Sequence, residues 1–208
     1  MIAIVDYGMG NLRSVLNAFE VINAPARLTT AAADLREAHA IVVPGVGAFG
    51  DGMRNLTALG IVEALAEEVL VRKKPYLGIC LGLQFLAREG REHGVTGGLG
   101  WLGGVVRRLA PADAACKVPH MGWNDVTVVR DSELFRDVDD RPVFYFLHGF
   151  QLDPAGESSA ESAVVATTQH GERVTAAVQR DNVFGVQFDP EKSQEAGLQV
   201  LRNFVKLA

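Results

Sequence analysis

The strongest constraint on the fold is the alternation of short apolar runs with helix-like segments in the first half of the chain. The apolar runs are strand-length and occupy residues 2–5, 40–43 and 75–79. Helices are predicted, from apolar residues at helical spacing, at 12–19, 52–73 and 81–88. Buried strands that alternate with helices form a parallel sheet that is covered on both faces. We therefore predict a three-layer α/β fold with a mostly parallel sheet.

The second half of the chain has a different pattern, in which strand-like runs follow one another closely. These runs lie at 105–109, 126–129, 143–147, 164–168, 175–179 and 183–188. Turn residues such as Asp181-Asn182 separate neighbouring runs, which is typical of antiparallel hairpins. A further amphipathic helix is predicted at 194–206, and no linker-like segment divides the sequence. We expect one domain over residues 1–208, with antiparallel strands added to the parallel core.

Composition argues against several classes of function. The net charge is −5 and the longest basic cluster, at 72–74, has three residues, so no nucleic-acid surface is predicted. No apolar run approaches ~18 residues and the N-terminus lacks a basic leader, so we expect neither a membrane span nor a signal peptide. The two cysteines, Cys80 and Cys116, lie far apart, which favours a cytoplasmic protein with free thiols.

The segment 77–84 carries the most informative motif. It predicts a strand that passes directly into a helix, with Cys80 at the junction and glycines two residues before and after it. This arrangement is typical of a nucleophile elbow, because so tight a turn leaves no room for side chains at the glycine positions. The helix N-terminus favours a thiolate, and the backbone N–H of Leu81 is placed to bind an oxyanion. We predict that Cys80 is a nucleophile; a small buried hydrophobic residue is the structural alternative.

A glycine-rich loop at 44–50 follows another predicted strand. Glycines let the backbone approach a ligand closely, so Gly45, Val46 and Gly47 are candidates to supply a second N–H to the oxyanion. The loop lacks the G-K-[ST] ending of a phosphate loop and the register of a dinucleotide-binding loop. No cofactor and no metal site are therefore predicted.

Six motifs spread over nearly the whole chain point to one family. They are IVDYGMGNLRSV (4–15), PGVGAFGDGM (44–53), LGICLGLQ (77–84), KVPHMGWN (117–124), FGVQFDPEKSQEAG (184–197) and LRNF (201–204). With these motifs the chain resembles the class I glutamine amidotransferases, and more narrowly the glutaminase subunits of imidazole glycerol phosphate synthases. The resemblance implies a flavodoxin-like fold and hydrolysis of glutamine to glutamate. It also implies a heterodimer with a (β/α)8-barrel cyclase, which uses the ammonia in histidine biosynthesis.

The resemblance further implies roles for individual residues. The catalytic Cys and Glu of the family correspond to Cys80 and Glu191. Contacts to the substrate glutamine are implied for Gln84, Glu92 and Gly149. The partner interface is implied to include His120, Met121, Gly122, Trp123, Asn124 and Lys192; packing in the core is the alternative for the segment at 120–123. The family usually reads H-S-Y where this chain has H-G-F at 148–150, so one wall of the pocket is altered.

One position departs from the family pattern. The family reads G-V-Q-F-H-P-E-K, whereas residues 185–192 read G-V-Q-F-D-P-E-K, so Asp189 occupies the position of the catalytic histidine. An imidazole with a pKa of ~6.5 can take the thiol proton and return it to ammonia, whereas an aspartate with a pKa of ~3.9 is a poor acceptor. We expect Asp189, and Glu191 facing the same way along an extended segment, to raise the pKa of Cys80.

Several accounts of Asp189 are open at this point. The chain is an impaired glutaminase that still serves as a partner subunit, or another histidine, such as His148 or His120, replaces the missing base. In a third account, desolvation raises the pKa of Asp189 and gives it an acid–base role. Two other functions fit the same sequence: a non-catalytic binding subunit, and an amidotransferase subunit for a sugar-modifying enzyme in surface-polysaccharide synthesis.

Overall fold

The computed structural model describes residues 1–208, which form strands, α-helices and a few shorter helical turns. The strands are β1 (Ile2–Val5), β2 (Ala26–Thr29), β3 (Ala40–Gly45), β4 (Tyr76–Cys80), β5 (Glu89–Gly90), β6 (Thr96–Gly97), β7 (Val105–Arg108), β8 (His120–Asp125), β9 (Thr127–Val128), β10 (Val143–His148), β11 (Phe150–Asp153), β12 (Val164–Gln169), β13 (Arg173–Arg180) and β14 (Val183–Val186). The α-helices are α1 (Leu12–Val21), α2 (Asp34–Glu37), α3 (Phe49–Ala58), α4 (Ile61–Leu65), α5 (Leu81–Gln84), α6 (Ser158–Glu161) and α7 (Gln194–Val205). None of the helices is both long and apolar enough to cross a membrane.

The central sheet has eight strands in the order β2-β1-β3-β4-β14-β13-β12-β9. The first five strands in this order run parallel to one another. The last three, β13, β12 and β9, extend the sheet in antiparallel fashion. This topology confirms the predicted α/β fold, with a mostly parallel sheet and antiparallel additions in the C-terminal half.

Alternating residues of the buried strands supply two hydrophobic cores, one on each face of the sheet. In β1, Ile2 and Ile4 pack in the core that also contains apolar residues of α1 and α7. Ala3 and Val5 pack in the other core, with residues of α3, α4 and α5. Because successive strand side chains point to opposite faces, an uninterrupted apolar run can cover both faces. The result is the predicted three-layer arrangement.

Two smaller sheets accompany the central one. An antiparallel ribbon is formed by β8 and β10, and a second sheet has the order β11-β7-β5-β6. Only Gly149 separates β10 from β11, so the chain passes from the ribbon into the second sheet at this point. The junction at 147–150 lies beside the end of β4, where residues of β4, β10 and β11 and of the loop after β3 border one cavity.

Two predicted helices are shorter in the structure. The segment predicted as one helix at 52–73 is interrupted between α3 and α4, because Gly60 adopts a left-handed conformation with φ +64°, and α4 then continues into a π-helical stretch at Ala66–Val71. The helix predicted at 81–88 ends at Gln84, because the next residues bond to 98–104 instead of continuing the helix. For example, the carbonyl oxygen of Phe85 accepts the N–H of Leu99 at 2.7 Å.

Some strand boundaries also differ from the sequence analysis. The run at 126–129 contributes only β9, and the preceding residues 120–125 form β8. The strands β2, β5, β6 and β11 were not predicted. Two of them, β5 and β6, have only two residues each, which is too short for an alternating pattern to be recognised.

Candidate active site

The junction between β4 and α5 forms the predicted elbow. Cys80 has φ +52° and ψ −103°, a conformation that residues with a side chain rarely adopt. A Cβ atom on Gly78 would lie 2.3 Å from the carbonyl oxygen of Gly82, and one on Gly82 would lie 1.8 Å from that of Val43. Both distances are far below van der Waals contact, so the turn requires glycine at both positions.

Cys80 borders a cavity of about 450 Å³. This volume lies in the ~300–1,000 Å³ range of small-molecule sites. Seven residues predicted for the site line it: Val46, Gly47, Cys80, Leu81, Gln84, Glu92 and Gly149. The remaining lining residues are Ala48, Leu147, His148 and Phe150. The structure thus brings together, at the ends of β3 and β4, residues that are up to about a hundred positions apart in sequence.

The predicted oxyanion groups belong to the ends of β3 and β4, next to Cys80. The backbone N–H of Leu81 hydrogen-bonds toward Cys80 and lowers the pKa of the thiol. Gly45 lies directly across from Cys80 in the pairing of β3 with β4, and the loop that follows contains Gly47 with φ +115°. A side chain on Gly45 would clash with the hydroxyl of Tyr7, since its Cβ would lie 1.8 Å from that oxygen. The pairing of Gly45 with Cys80 places the start of this loop beside Cys80.

The residues implied to contact glutamine are held by hydrogen bonds. The Oε2 atom of Glu92 accepts the backbone N–H of Phe49 at 2.9 Å. The Nε2 atom of Gln84 donates to the carbonyl oxygen of Phe150 at 3.0 Å and to Oε1 of Gln187 at 3.1 Å. Both side chains therefore present fixed polar groups to the cavity.

Asp189 is buried and ion-paired. It is 3% exposed, and its Oδ2 atom lies 2.6 Å from Nζ of Lys192. Burial raises the pKa of Asp189, while the ammonium group of Lys192 opposes the rise. The ion pair with Lys192 favours the ionised carboxylate and so opposes uptake of a proton by Asp189.

Glu191 is the carboxyl group whose titration falls near neutral pH. Burial and the nearby charge of Asp189 raise the pKa of Glu191 to about 7. Its Oε2 atom is inaccessible to solvent and has no hydrogen-bond partner. The backbone here forms a 3-10 turn at Pro190–Lys192 rather than the predicted extended segment, since α7 follows almost at once.

The electrostatic environment disfavours a thiolate at Cys80. Burial raises the pKa of the thiol, and the negative charges of Asp189 and Glu191 raise it further. The backbone N–H of Leu81 and the charge of Lys192 act in the opposite direction but are outweighed. The pKa of Cys80 is thus raised, which is the direction expected from the sequence.

Neither candidate histidine offers Cys80 a free ring nitrogen that could accept its proton. The Nδ1 atom of His148 donates to the carbonyl oxygen of Phe150 at 2.8 Å, which leaves Nε2 as the acceptor of the neutral ring. That atom is already bonded to Nδ1 of His120 at 3.0 Å. Burial lowers the pKa of His120 to about 3 and that of His148 to about 4. Rescue of catalysis by either ring would require breaking this hydrogen bond.

The residues implied for the partner interface differ in exposure. Met121 and Trp123 are 64% and 49% exposed, whereas Gly122 and Asn124 are partly buried. His120 is only 3% exposed, so its ring is buried within this chain and its place at the interface stays a prediction. Its ring is stacked between Phe146 and His170, at centroid distances of 4.6 and 4.2 Å. In an antiparallel ribbon alternate residues face inward, which accounts for its burial.

Two functional contacts were missed in the sequence. Gln187 donates a hydrogen bond from Nε2 to Sγ of Cys80 at 3.4 Å, and Lys192 is the counter-ion of Asp189. Gln187 is a polar residue inside the apolar run 183–188, which is a signal that could have singled it out. The ion pair has the i,i+3 spacing that favours side-chain contact in a helical turn.

Comparison with known proteins identifies the class. The family model "Glutamine amidotransferase class-I" matches residues 3–208, and the chain belongs to this family. A crystal structure of a glutamine amidotransferase superposes with a TM-score of 0.75 at 20% identity, covering 100% of this chain and 98% of the other. The likeness supports the fold, and family membership makes the chain a glutamine amidotransferase subunit, as the motifs predicted.

Closer relatives are similar over their full length. The chain is 44% identical over 207 residues to imidazole glycerol phosphate synthase subunit HisH 1 of Campylobacter jejuni (strain RM1221), covering 100% of both chains. It is 47% identical over 207 residues to imidazole glycerol phosphate synthase subunit HisH of Methanothermobacter thermautotrophicus, covering 100% of this chain and 98% of the relative. These similarities agree with the narrower resemblance read from the motifs.

Proposed function

We propose that the chain is the glutaminase subunit of an imidazole glycerol phosphate synthase and acts in the cytoplasm in histidine biosynthesis. It hydrolyses glutamine and supplies ammonia to a (β/α)8-barrel cyclase with which it forms a heterodimer. The observation that carries the proposal is Cys80 on a strained elbow beside a cavity lined by Gln84 and Glu92. The full-length similarity to HisH subunits supports the choice of partner.

The reaction follows from the position of the sulfur. Cys80 attacks the carboxamide carbon of glutamine, and the oxyanion that forms is bound by the N–H of Leu81 and by the 45–47 loop. The thiol proton must end on the leaving nitrogen, so that ammonia departs and a thioester remains. Water then hydrolyses the thioester to glutamate, which restores the thiol.

The proton transfers lack the imidazole base of the family pattern, because residue 189 is an aspartate. We propose that turnover is impaired because Asp189 is held by Lys192 and adds negative charge beside the thiol. Glu191, which has a pKa raised to about 7 and an unpartnered oxygen, is the remaining carboxyl group suited to proton transfer. An acid–base role therefore fits Glu191 better than Asp189.

The exposed face of the β8–β10 ribbon is proposed as the docking surface for the cyclase, and we call it the docking ribbon. Trp123 packs edge-to-face on Tyr145, at a centroid distance of 6.0 Å, and Met121 pairs with Leu147 across the two strands. Leu147 also borders the cavity of Cys80. A partner on this face would therefore lie next to the point where ammonia is released. Exposed aromatic and methionine side chains are enriched in such interfaces.

The same observations favour one rival, a non-catalytic subunit that only binds the cyclase. The buried ion pair of Asp189 and the raised pKa of Cys80 are what such a subunit would show. Two measurements separate the functions: ammonia release from glutamine with and without the cyclase, and labelling of Cys80 by a glutamine-analogue diazo-ketone.

A glutaminase is expected to show slow ammonia release that rises when the cyclase is added, disappears in Cys80→Ser, and is accompanied by labelling of Cys80. Cys116, which lies outside the cavity, is the internal control for nonspecific labelling. Ammonia release that persists in Cys80→Ser would contradict the proposal, and the absence of both release and labelling would favour the binding subunit.

A further inference from the structure

The sulfur of Cys80 has one side-chain hydrogen-bond donor. Nε2 of Gln187 lies 3.4 Å from Sγ, within reach for a bond to sulfur. Gln187 is fully buried, so its amide is not exchanging partners with solvent. An N–H that points at sulfur stabilises the thiolate relative to the thiol.

The orientation of the Gln187 amide is fixed by its neighbour. Its Oε1 atom accepts a hydrogen bond from Nε2 of Gln84 at 3.1 Å, which directs the NH2 group of Gln187 to the sulfur. The same Nε2 atom of Gln84 donates its second hydrogen to the carbonyl oxygen of Phe150 at 3.0 Å. An amide NH2 has two hydrogens, and both are used here.

The carbonyl oxygen of Phe150 joins this pair to the histidines. It also accepts Nδ1–H of His148, at 2.8 Å, and Nε2 of His148 accepts Nδ1–H of His120, at 3.0 Å. Nε2 of His120 lies 3.1 Å from Nδ2 of Asn124, which must be the donor because its carbonyl partner, Oδ1, accepts the N–H of Asp125. The donors and acceptors are thus determined along the whole chain of hydrogen bonds.

We propose that Gln187 is a positioning residue that holds the Cys80 sulfur and stabilises its thiolate, and that its amide is oriented by the hydrogen-bonded chain starting at Asn124 on the docking ribbon. The inference rests on the proposed role of Cys80 as the nucleophile. It connects the docking ribbon to the reacting sulfur through hydrogen-bonded side chains, of which Gln187, Gln84, His148 and His120 are buried.

The charged and titratable groups around the sulfur make this donor important. Asp189, Glu191 and Lys192 act on the thiol from the segment after β14, and the buried hydroxyl of Tyr7 faces it from the end of β1. Two of these groups are anionic and only Lys192 is cationic. Removing the one neutral side-chain donor should therefore reduce the thiolate population appreciably.

The test is the pH dependence of Cys80 alkylation by iodoacetamide in the full chain, followed by peptide mass spectrometry. Gln187→Met keeps the length of the side chain and removes the donor. We expect alkylation at pH 9 to slow about tenfold, the size of one lost hydrogen bond to a charged atom, and the inflection to move to higher pH. Gln151→Met is the matched control, because Gln151 is also a buried glutamine (2% exposed) but its amide bonds to the backbone of Arg173 and Thr175 instead of to Cys80.

A wild-type alkylation profile in folded Gln187→Met would overturn the proposal. Should that variant not fold, Gln84→Met carries the test: it frees the Gln187 amide to turn away, and we expect about threefold slower alkylation. An unchanged profile there would equally overturn the proposal. The assay uses neither glutamine nor cyclase, so its failure is distinguishable from failure of the proposed glutaminase function.

The orienting chain has its own readout. Nitrogen-15 NMR of the wild-type chain should show His120 protonated at Nδ1. Asn124→Asp replaces the donor by an acceptor, so His120 should then carry its proton on Nε2. Cys80 alkylation should also slow, because the series of hydrogen bonds that orients Gln187 is then broken. If the tautomer changes while alkylation stays the same, the link from the docking ribbon to Gln187 is refuted.

Discussion

Two strand ends meet at the active site, and they are held by different means. At the end of β4, close backbone contacts that exclude any Cβ at Gly78 and Gly82 fix the position of Cys80. At the end of β14, side-chain charges determine the arrangement, with Asp189 bound to Lys192 and Glu191 left without a partner for one oxygen. The first end is set by backbone geometry and the second by the identity of side chains.

This difference shows how one substitution can separate two parts of a reaction. Placement of the nucleophile and of the oxyanion donors depends on the elbow, which does not involve residue 189. In the proposed mechanism, proton transfer is limited at residue 189, where a carboxylate replaces the imidazole of the family pattern. On the proposed mechanism, the chain retains the groups for covalent catalysis while its proton-transfer groups are altered.

The largest expected effect comes from a substitution at the end of β4, where backbone contacts fix Cys80. Gly82→Ala would place a Cβ 1.8 Å from the carbonyl oxygen of Val43, which cannot move without disturbing β3. We expect a loss of about 4 kcal/mol in the free energy of unfolding, measured by urea denaturation. Gly97→Ala is the control, because a Cβ there meets no atom within 4 Å, and it should be nearly neutral. Equal stability of the two variants would contradict the account of the elbow.

The next largest effect concerns the end of β14 and is seen in the pH dependence of stability. The folded-state pKa of Glu191, about 7, lies above its ordinary value of 4.5, so the folded chain binds more protons between these pH values and loses stability as pH rises. Glu191→Gln removes this loss. It should match the wild type near pH 4 and exceed its stability by about 3 kcal/mol at pH 8.

Thermal unfolding at a series of pH values measures this difference. Glu20→Gln is the control for removal of a surface carboxylate, since Glu20 is exposed on α1, and it should leave thermal stability nearly unchanged. A constant difference between Glu191→Gln and the wild type across this pH range would show that the carboxyl group is not perturbed by burial.

The smallest expected effect concerns binding of the cyclase to the docking ribbon, away from both strand ends. Trp123→Ala removes the exposed aromatic residue of the docking ribbon, and we expect the affinity for the cyclase to fall about 30-fold, or about 2 kcal/mol. Titration calorimetry with the purified cyclase measures the change. Val71→Ala, which alters an apolar residue that is 68% exposed outside the ribbon, should leave the affinity unchanged. A loss shared by both variants would place the interface elsewhere.

The sequence predicted best what local pattern determines. The alternation of runs predicted the layered parallel sheet, and the glycines around Cys80 predicted the elbow, because both depend on residues close in sequence. The burial of His120 and the contact of Gln187 with sulfur depend on how the ribbon and β14 pack, so no local pattern revealed them. The pairing of Asp189 with Lys192 was equally hidden, because an extended segment was expected where the chain forms a 3-10 turn.

The account is tested most directly by ammonia release from glutamine in the complex with the cyclase, comparing Asp189→His and Asp189→Asn with the wild type. Asp189→His supplies a base of suitable pKa, and we expect turnover to rise about 100-fold or more. Asp189→Asn removes the negative charge without supplying a base, and should give a much smaller gain. Turnover in Asp189→His that equals the wild-type rate would contradict the claim that the proton-transfer part of the site limits this subunit.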